Sequence, residues 1–347
     1  MAAIFFMCAL LILVHPAYHV VKGGEKLRAL KIAGVMLATM FVLILLVPAL
    51  IVRGCGGYRD VPRVPVDPEM VQVWNHQTGE LMPMPLGEYL LGVVAAEMPV
   101  SFHIEALKAQ AVVARTYAIN KLRSRGGAGC DQHPEADICT DHTHCQAWLS
   151  REDAMQRWPL FRQGTYWDKI TLAVSETRGS IITHQGAPID AVFHSTCGGS
   201  TENSEDVWTN TIPYLRAVEC GYCNHSPRLT ETVSMTVSEA AEKLGVGGSS
   251  LEINVERRTE SGRIISVSVN GQAMRGLDFR TALGLRSSLV TWLRDQNRIV
   301  FTTTGYGHAV GLCQYGADGM ADLGFEFTDI LQHYYTDIQV QRLSSEE

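Results

Sequence analysis

The stretch LGEYLLGVVAAEMPVSFHIEALKAQAVVARTY, residues 86–117, decides the architecture of this chain. Its apolar first part predicts a helix over 86–97, and Pro99 favours a break directly afterwards. A longer helix is predicted over 103–123, where alanines recur at short intervals. Because alanine side chains allow neighbouring elements to approach closely, we expect this second helix to pack tightly inside a globular domain.

Glu97 closes the first predicted helix and is the candidate for chemistry. A carboxyl group on an apolar helical face loses hydration, which disfavours its charged form and raises its pKa. A carboxyl with a raised pKa can donate a proton near neutral pH. The alternative is that Glu97 is an ordinary helix-end glutamate that points into water.

The remaining globular sequence mixes strand-like and helix-like segments. Strands are predicted at 71–74, 181–183 and 187–194, and a β-hairpin is predicted over 251–269. The hairpin turns at Glu260-Ser261-Gly262, and a short helix is predicted over 238–244 behind a serine cap. The fold class is therefore α+β, with a β-rich subdomain at about 225–300 inserted in a mixed helix and sheet ectodomain.

The N-terminal region contains a long uncharged run, AGVMLATMFVLILLVPALIV, at residues 33–52. This run is close to the roughly 20 residues that a bilayer core requires, so it predicts a single-span membrane anchor. The flanking basic residues are Lys22, Lys26, Arg28 and Lys31 before the run and Arg53 after it. Basic residues favour the cytoplasmic side, so the large C-terminal part is expected outside the cytoplasm.

These features predict three regions. Residues 1–53 form a cytoplasmic N-terminus with the anchor, 54–70 form a linker rich in Gly, Pro and charged residues, and 71–347 form the ectodomain. A shorter apolar run over 2–14 could be a second span, an interfacial segment or an extension from an upstream start codon. We favour one functional span.

Composition narrows the class of partner. The chain has 347 residues, of which 46% are apolar, enough for one large or two modest domains with a core. The formal net charge is −7, and the sequence has no run of Lys or Arg with interleaved aromatic residues. These properties argue against a nucleic-acid partner and fit a neutral or weakly charged polymer outside the cell.

Three further segments carry residues that commonly line grooves. They are FHSTCGG at 193–199, TENSEDVW at 201–208 and TGYGHAVGLCQYG at 304–316. Glycines at this density let the backbone approach a ligand, and His, Ser, Gln, Tyr and Trp offer hydrogen bonds and stacking surfaces to a sugar. The alternative is an ordinary set of polar turns with one buried histidine.

Residues 86–117, with Ala95-Ala96-Glu97-Met98-Pro99 and the run from Glu105 to Thr116, resemble the family of stage II sporulation protein D and the amidase enhancer. Segments 193–208 and 305–321 are similar to that family's other two signatures and follow in the same order. The resemblance covers about residues 71–335, nearly the whole predicted ectodomain.

The resemblance implies a lytic transglycosylase that cuts the MurNAc–GlcNAc bond of peptidoglycan, with Glu97 matching the catalytic acid. Hydrolysis usually recruits two carboxylates, whereas one acid suffices here because the sugar's own C6 hydroxyl attacks and leaves a 1,6-anhydro end. The residues expected to bind substrate are Arg115, His194, Ser195, Glu202, Ser204, His308, Gln314 and Tyr315. Arg115 could instead stabilise the helix pair, and acidic residues such as Glu202 are often simply solvated.

The family leaves a second function open, that of a non-catalytic glycan-binding module that enhances a cell-wall amidase. A zinc-dependent hydrolase is disfavoured because the sequence has no His-Glu-x-x-His motif. The resemblance implies forespore engulfment, at the mother-cell membrane facing the septal or engulfing wall. The partners it implies are peptidoglycan glycan strands, a sporulation amidase that removes stem peptides, and a membrane scaffold protein of the engulfment machinery.

A loop at about 130–146 concentrates cysteine and histidine side chains. The predicted zinc ligands are His133, Cys139, His144 and Cys145, with Cys130 or His142 as possible substitutes, and the sporulation branch of the family includes members with such a loop. Four protein ligands leave no open position for water, so the zinc is expected to be structural. A disulfide among Cys130, Cys139 and Cys145 is the alternative outside the cytoplasm.

A second group of cysteines lies further along the chain. Cys197 could form a disulfide with Cys220 or Cys223. Cys313, inside the glycine-rich motif, is expected to be buried rather than reactive.

Overall fold

The computed structural model describes residues 23–46, 69–247 and 250–343. The chain divides into two units, residues 1–61 and 62–347. In the first unit, helix α1 (Gly23–Phe41) carries charged residues in its first half and continues into a π-helical turn at Val42–Leu46.

The anchor predicted over 33–52 finds no support in the described residues. None of the helices described there combines the length and the apolar character that crossing a bilayer requires. Residues 47–52 of the predicted anchor, the run over 2–14 and most of the predicted linker lie outside the described residues.

The second unit begins with a hairpin that leads into the first helix of the site. Strands β1 (Met70–Asn75) and β2 (Glu80–Pro85) are antiparallel, and the short strand β3 (Ile138–Cys139) runs parallel to β1. Helix α2 (Leu86–Glu97) follows β2 without a connecting loop. Most of α2 before its last turn is buried, which explains the apolar character of its sequence.

Helix α3 (Ile104–Lys121) lies at the centre of the main core, as its alanines predict. Ala106, Ala109, Ala111, Ala114 and Ala118 are all fully buried. Helices α4 (Arg151–Gln156) and α5 (Gln163–Glu176) follow, and the main core includes residues from α2, α3 and α5. The predicted helix pair is therefore confirmed.

A β-rich segment has a hydrophobic core of its own, which includes Phe279 and Phe301. Its elements are β7 (Thr230–Thr236), α7 (Val237–Lys243), β8 (Ile253–Arg258), β9 (Ile264–Val269), β10 (Gln272–Arg275), α8 (Gly276–Leu283), β11 (Val290–Asp295) and β12 (Arg298–Thr304). One sheet has the order β10-β9-β8, and the other has the order β11-β12-β7. The predicted hairpin is the β8–β9 pair, and the mixed α+β class is confirmed.

The remaining elements bring two sequence motifs side by side. Strand β6 (Phe193–His194) pairs in parallel with β13 (Leu312–Cys313), with Phe193 opposite Leu312 and His194 opposite Cys313. The strand predicted over 187–194 is wrong in its middle, because only β5 (Ala187–Pro188) and β6 have strand geometry there. The other elements are β4 (Ser180–His184), α6 (Ser204–Val207), α9 (Gln314–Asp322), α10 (Phe327–Tyr334) and β14 (Gln339–Arg342).

Candidate active site

A cleft of about 780 Å³ opens where the end of α2 meets the β6–β13 pair. Its lining includes these predicted site residues: Glu97, His194, Ser195, His308, Gln314 and Tyr315. The cysteine and histidine loop also reaches the cleft through residues 142–146. The three sequence motifs therefore meet at one site, although they are far apart along the chain.

Glu97 is partly buried at the C-terminal end of α2. Loss of hydration raises the pKa of its carboxyl from its usual 4.5 to about 7, against the opposing effect of a hydrogen bond from the backbone N–H of Ala147. That N–H donates to Oε1 over 2.7 Å. Among the described residues that line the cleft, Glu97 is the only carboxylate. The site therefore offers one acid that keeps its proton close to neutral pH.

Gln314 fastens the end of α2 to the opposite motif. Its side-chain Nε2 donates to the backbone carbonyl of Glu97 and to Oε1 of Gln110, each over 3.2 Å. The last carbonyls of a helix have no partner within the helix, so this bond also satisfies a group that burial would otherwise leave unpaired. Gln314 therefore holds the backbone that carries the acid.

Two histidines form the facing wall, with ring centroids 5.5 Å apart. Burial lowers the pKa of His194 well below its usual value and that of His308 to about 4. Both rings are therefore neutral near neutral pH. His194 Nδ1 lies 3.1 Å from the carbonyl of Val310, which places its proton on Nδ1. Its Nε2 is a buried acceptor with no hydrogen-bond partner among the described residues.

Sequence reasoning missed several residues that line the cleft. Gln146 accepts a hydrogen bond from Tyr89 over 3.1 Å, and its Nε2 is a buried donor without a partner among the described residues. Trp208, 37% exposed, lies beside His308 with centroids 5.2 Å apart. Trp208 and Tyr306 belong to the quoted motifs, so an aromatic residue within a polar, glycine-containing segment was the available signal.

Three arginines, Arg157, Arg228 and Arg280, complete the lining, and no motif marks them. Arg228 lies over the ring of Tyr306 at 5.3 Å, and Arg280 belongs to α8 of the β-rich segment. The sequence around each gave no signal, because only the folded chain brings them to the cleft.

Arg115 does not line the cleft, which corrects its predicted role in substrate binding. It is fully buried, and its guanidinium donates to the carbonyls of Val174 and Ser180 over 3.2 and 3.3 Å. It thereby joins α3 to the α5–β4 connection. The alternative role, stabilising the helices, fits these contacts.

Glu202 and Ser204 are also buried, and neither belongs to the cleft lining. Glu202 lines a small cavity of about 100 Å³ that shares Trp208, Arg280 and His308 with the cleft. Glu202 forms an ion pair with Arg263 at 2.8 Å. The Ser204 hydroxyl accepts from the backbone N–H of Ile212 and donates to the carbonyl of Asn210, both over 2.8 Å. The Ser204 contacts lie within the loop that carries the second motif, whereas Glu202 joins this loop to the turn between β8 and β9.

The predicted zinc loop brings four ligand atoms together, with one change. Cys130, Cys139, His144 and Cys145 have their ligand atoms within 4.8 Å of one another. His133 does not join them, because its ring stacks on Trp74 with centroids 4.7 Å apart. Cys130, the named substitute, takes its place, and each described cysteine is a free thiol.

This donor set fits a structural zinc ion. His144 Nδ1 lies 3.3 Å from the sulfurs of both Cys139 and Cys145, and its Nε2 contacts Asp131 at 2.5 Å. A carboxylate on the outer nitrogen of a ligand histidine is a common partner in zinc sites. Three thiols and one imidazole match closed tetrahedral zinc sites, which leave no position for water.

Comparison with known proteins assigns this geometry to a family. The family model described as SpoIID, stage II sporulation protein, matches residues 74–184. Stage II sporulation protein D of Bacillus amyloliquefaciens is 35% identical over 335 residues, which cover 89% of this chain and 96% of the relative. The chain belongs to the stage II sporulation protein D family.

Two further relatives extend the comparison. Stage II sporulation protein D of Bacillus subtilis (strain 168) is 37% identical over 275 residues, 79% of each chain. The amidase enhancer of the same organism is 27% identical over 304 residues, which cover 71% of this chain and 39% of the relative. The family predicted from three motifs is thus confirmed, and the stage II sporulation family model spans Glu97 and the zinc loop.

Proposed function

We propose that this member of the stage II sporulation protein D family is a lytic transglycosylase of peptidoglycan. The proposal rests on Glu97, the one carboxyl among the described residues that line the large cleft. Burial raises the pKa of this carboxyl to about 7. One such acid meets the needs of a reaction in which the substrate supplies its own nucleophile.

The proposed reaction uses Glu97 twice. Its protonated carboxyl gives a proton to the glycosidic oxygen as the bond from that oxygen to C1 of MurNAc breaks. The resulting carboxylate then accepts the proton of the C6 hydroxyl, whose oxygen bonds to C1 and closes the 1,6-anhydro ring. Because Oε1 accepts the N–H of Ala147, Oε2 is the oxygen left to carry the proton.

The rest of the cleft supports binding of a glycan strand. His194 Nε2 offers a buried acceptor and Gln146 Nε2 a buried donor, and buried polar atoms gain when a ligand pairs with them. Trp208 offers an aromatic face for a sugar ring. Arg228 and Arg280 complement the lactyl carboxylate of MurNAc, which is free once an amidase has removed the stem peptide.

Zinc bound by Cys130, Cys139, His144 and Cys145 would supply structure rather than reactivity. These residues would tie down the loop that ends next to Ala147, the residue whose N–H orients Glu97. Loss of the ion would therefore act on catalysis through the position of that loop.

The proposal includes the cellular setting. Peptidoglycan lies outside the cytoplasm, so the domain acts there, on the side of the mother-cell membrane that faces the septal or engulfing wall. A sporulation amidase would supply glycan without stem peptides, and a scaffold protein of the engulfment machinery would hold the enzymes together.

The second candidate is a glycan-binding module that enhances an amidase. The similarity to the amidase enhancer favours it, since that relative matches 71% of this chain. Such a module needs the cleft and its aromatic residues but does not need a protonated Glu97.

One product assay separates the two candidates. The full chain is incubated with purified glycan strands, and mass spectrometry looks for 1,6-anhydro ends. We expect these ends from the wild type and a loss of about 10²–10⁴-fold in Glu97→Gln, the range typical of a general acid. Glu88→Gln is the matched control, because Glu88 is exposed on the same helix. Binding of glycan by the wild type without products would reject the enzyme, and equal products from the two variants would reject Glu97 as its acid.

A further inference from the structure

A second cluster of four cysteines lies in the main core, directly behind the cleft. Cys197, Cys220, Cys223 and Cys313 are fully buried, and their four sulfurs lie within 4.8 Å of one another. The sulfurs of Cys197 and Cys223 are 3.5 Å apart. With Zn–S bonds of about 2.3 Å, the sulfurs of a tetrahedral site are about 3.8 Å apart. The cluster therefore has nearly the dimensions of a zinc site.

The four thiols come from three separate segments of the chain. Cys197 belongs to the FHSTCGG motif and Cys313 to the glycine-rich motif, two stretches that pair through β6 and β13. Cys220 and Cys223 form a Cys-x-x-Cys pair, the spacing with which short loops present two ligands to zinc. Such convergence is unusual for cysteines that serve only as small apolar residues.

Hydrogen-bond donors surround the sulfurs of the cluster. The sulfur of Cys313 accepts from the backbone N–H groups of Cys197 and Gly316, over 3.2 and 3.3 Å. Cys313 also caps the N-terminus of α9, where the helix dipole stabilises negative charge. The hydroxyl of Tyr334 lies 3.1 Å from the sulfur of Cys220. Hydrogen bonds of this kind are the outer-shell contacts that orient the ligands of a metal site.

The backbone is fitted closely around the sulfurs. A Cβ atom at Gly316 would lie 2.7 Å from the sulfur of Cys220 and 2.0 Å from the Tyr334 hydroxyl oxygen. Residue 316 must therefore lack a side chain for the N–H···S contact and the cluster to coexist.

We propose that Cys197, Cys220, Cys223 and Cys313 bind one zinc ion in a closed, all-sulfur tetrahedral site. The ion has a structural role, because four protein ligands leave no position for water or substrate. The ion would hold together two segments that line the cleft. Cys197 lies two residues after Ser195, and Cys313 directly precedes Gln314. The proposal is independent of the reaction at Glu97.

The test begins with metal analysis of the full chain, purified without added metal or reductant. Inductively coupled plasma mass spectrometry should show that Cys223→Ser loses one zinc per chain relative to the wild type. Cys139→Ser, which disables the loop site, is the matched control that removes a buried thiol elsewhere. X-ray absorption of that control should show zinc surrounded by sulfur alone, at about 2.3 Å.

Three results would overturn the proposal. One is an unchanged zinc content in Cys223→Ser, and another is iron in place of zinc. The third comes from alkylating the denatured, unreduced wild type in the presence of a chelator. If mass spectrometry finds these four cysteines protected as two disulfides, no thiolates remain to bind metal. Because this measurement uses the unaltered chain, it decides the question even if a variant does not fold.

Discussion

The two walls of the cleft bury ionisable groups with opposite results. On the carboxyl wall, formed by the end of α2 and the loop before Ala147, burial raises the pKa of Glu97 to about 7. On the histidine wall, formed by β6 and the glycine-rich motif, burial lowers the pKa of His308 to about 4 and that of His194 well below its usual value. Desolvation penalises the charged form on both walls.

Desolvation therefore gives the two walls different roles, a proton donor on one and a hydrogen-bond acceptor on the other. Near neutral pH the carboxyl wall holds a proton that can be given away, while the histidine wall holds a ring nitrogen with a free lone pair. Burial is the largest cause of the pKa shift for each group, and the positive charge of Arg263 lowers the pKa of both histidines further. A substitution that removes the ionisable group of one wall should therefore leave the pKa of the groups on the other wall unchanged.

Shortening the side chain of Glu97 by one methylene should cause the largest loss of activity that the two walls predict. Glu97→Asp keeps a carboxyl but withdraws it from the N–H of Ala147, which now lies 2.7 Å from Oε1. A displacement of about 1 Å can cost about 10²-fold, so we expect kcat/KM on glycan strands to fall by about that factor. Glu88→Asp on the same helix should retain wild-type activity. Retained activity in Glu97→Asp would mean that the position of the carboxyl does not matter.

The carboxyl wall should destabilise the protein in alkaline solution. A Glu whose pKa rises from 4.5 to about 7 on folding contributes stability that is present below pH 4.5 and is lost as the pH rises through about 7. Glutamine cannot ionise, so Glu97→Gln should gain stability relative to the wild type between pH 4.5 and 8, by up to roughly 3 kcal/mol. Urea unfolding at several pH values measures this. A constant difference between the two proteins would contradict the burial of the acid.

The pH dependence of activity should reveal the ionisation of the acid on the carboxyl wall and of the rings on the histidine wall. Glu97 must be protonated to act as the acid, so cleavage should fall about tenfold per unit above pH about 7. The histidine wall should become charged only below pH about 4, because the lowered pKa of His308 keeps its ring neutral above that value. Initial rates across pH 3–9 test this, and a rate that stays level up to pH 9 would exclude Glu97 as the acid.

Much of the carboxyl wall could be predicted from the sequence. Apolar periodicity and Pro99 define α2 and place Glu97 at its end, and alanines mark α3 as the helix packed inside the core. These are local sequence patterns, and such a pattern predicts a helix correctly when folding buries its apolar face. The histidine wall could be predicted only as a set of residue types, because the β6–β13 pairing that aligns His194 with Cys313 joins distant segments.

The failures of prediction have physical causes in particular residues. Cys130 replaces His133 in the zinc loop because the N–H of Cys130 bonds to the carbonyl of Ala136, and this turn returns Cys130 to the cluster. Spacing in the sequence does not reveal such a turn. Arg115 lies in the helix that resembles the family motif, which allowed substrate binding or stabilisation of the helix pair, and backbone carbonyls accept its hydrogen bonds inside the core. Arg280 lies in the β-rich segment outside the recognised motifs, so nothing in the sequence indicated that it lines the cleft.

The smallest expected change in activity comes from replacing Gln314, and it tests whether this residue orients the acid or binds the sugar. The sequence predicted it as a sugar ligand, whereas its Nε2 donates to the backbone carbonyl of Glu97. Gln314→Leu keeps the approximate volume and removes this donor. A single hydrogen bond contributes about 0.5–1.5 kcal/mol, so kcat should fall roughly two- to tenfold. Because the bond orients the acid rather than the glycan, KM should stay nearly constant.

Steady-state kinetics with glycan strands of defined length separates these parameters. The matched control is Gln77→Leu, which makes the same substitution at an exposed turn away from the cleft and keeps the Gln314 bond. If Gln314→Leu raises KM and leaves kcat unchanged, Gln314 binds the sugar and belongs with the histidine wall. The contact between α2 and α9 would then be packing alone, and the orientation of the acid would rest on the N–H of Ala147.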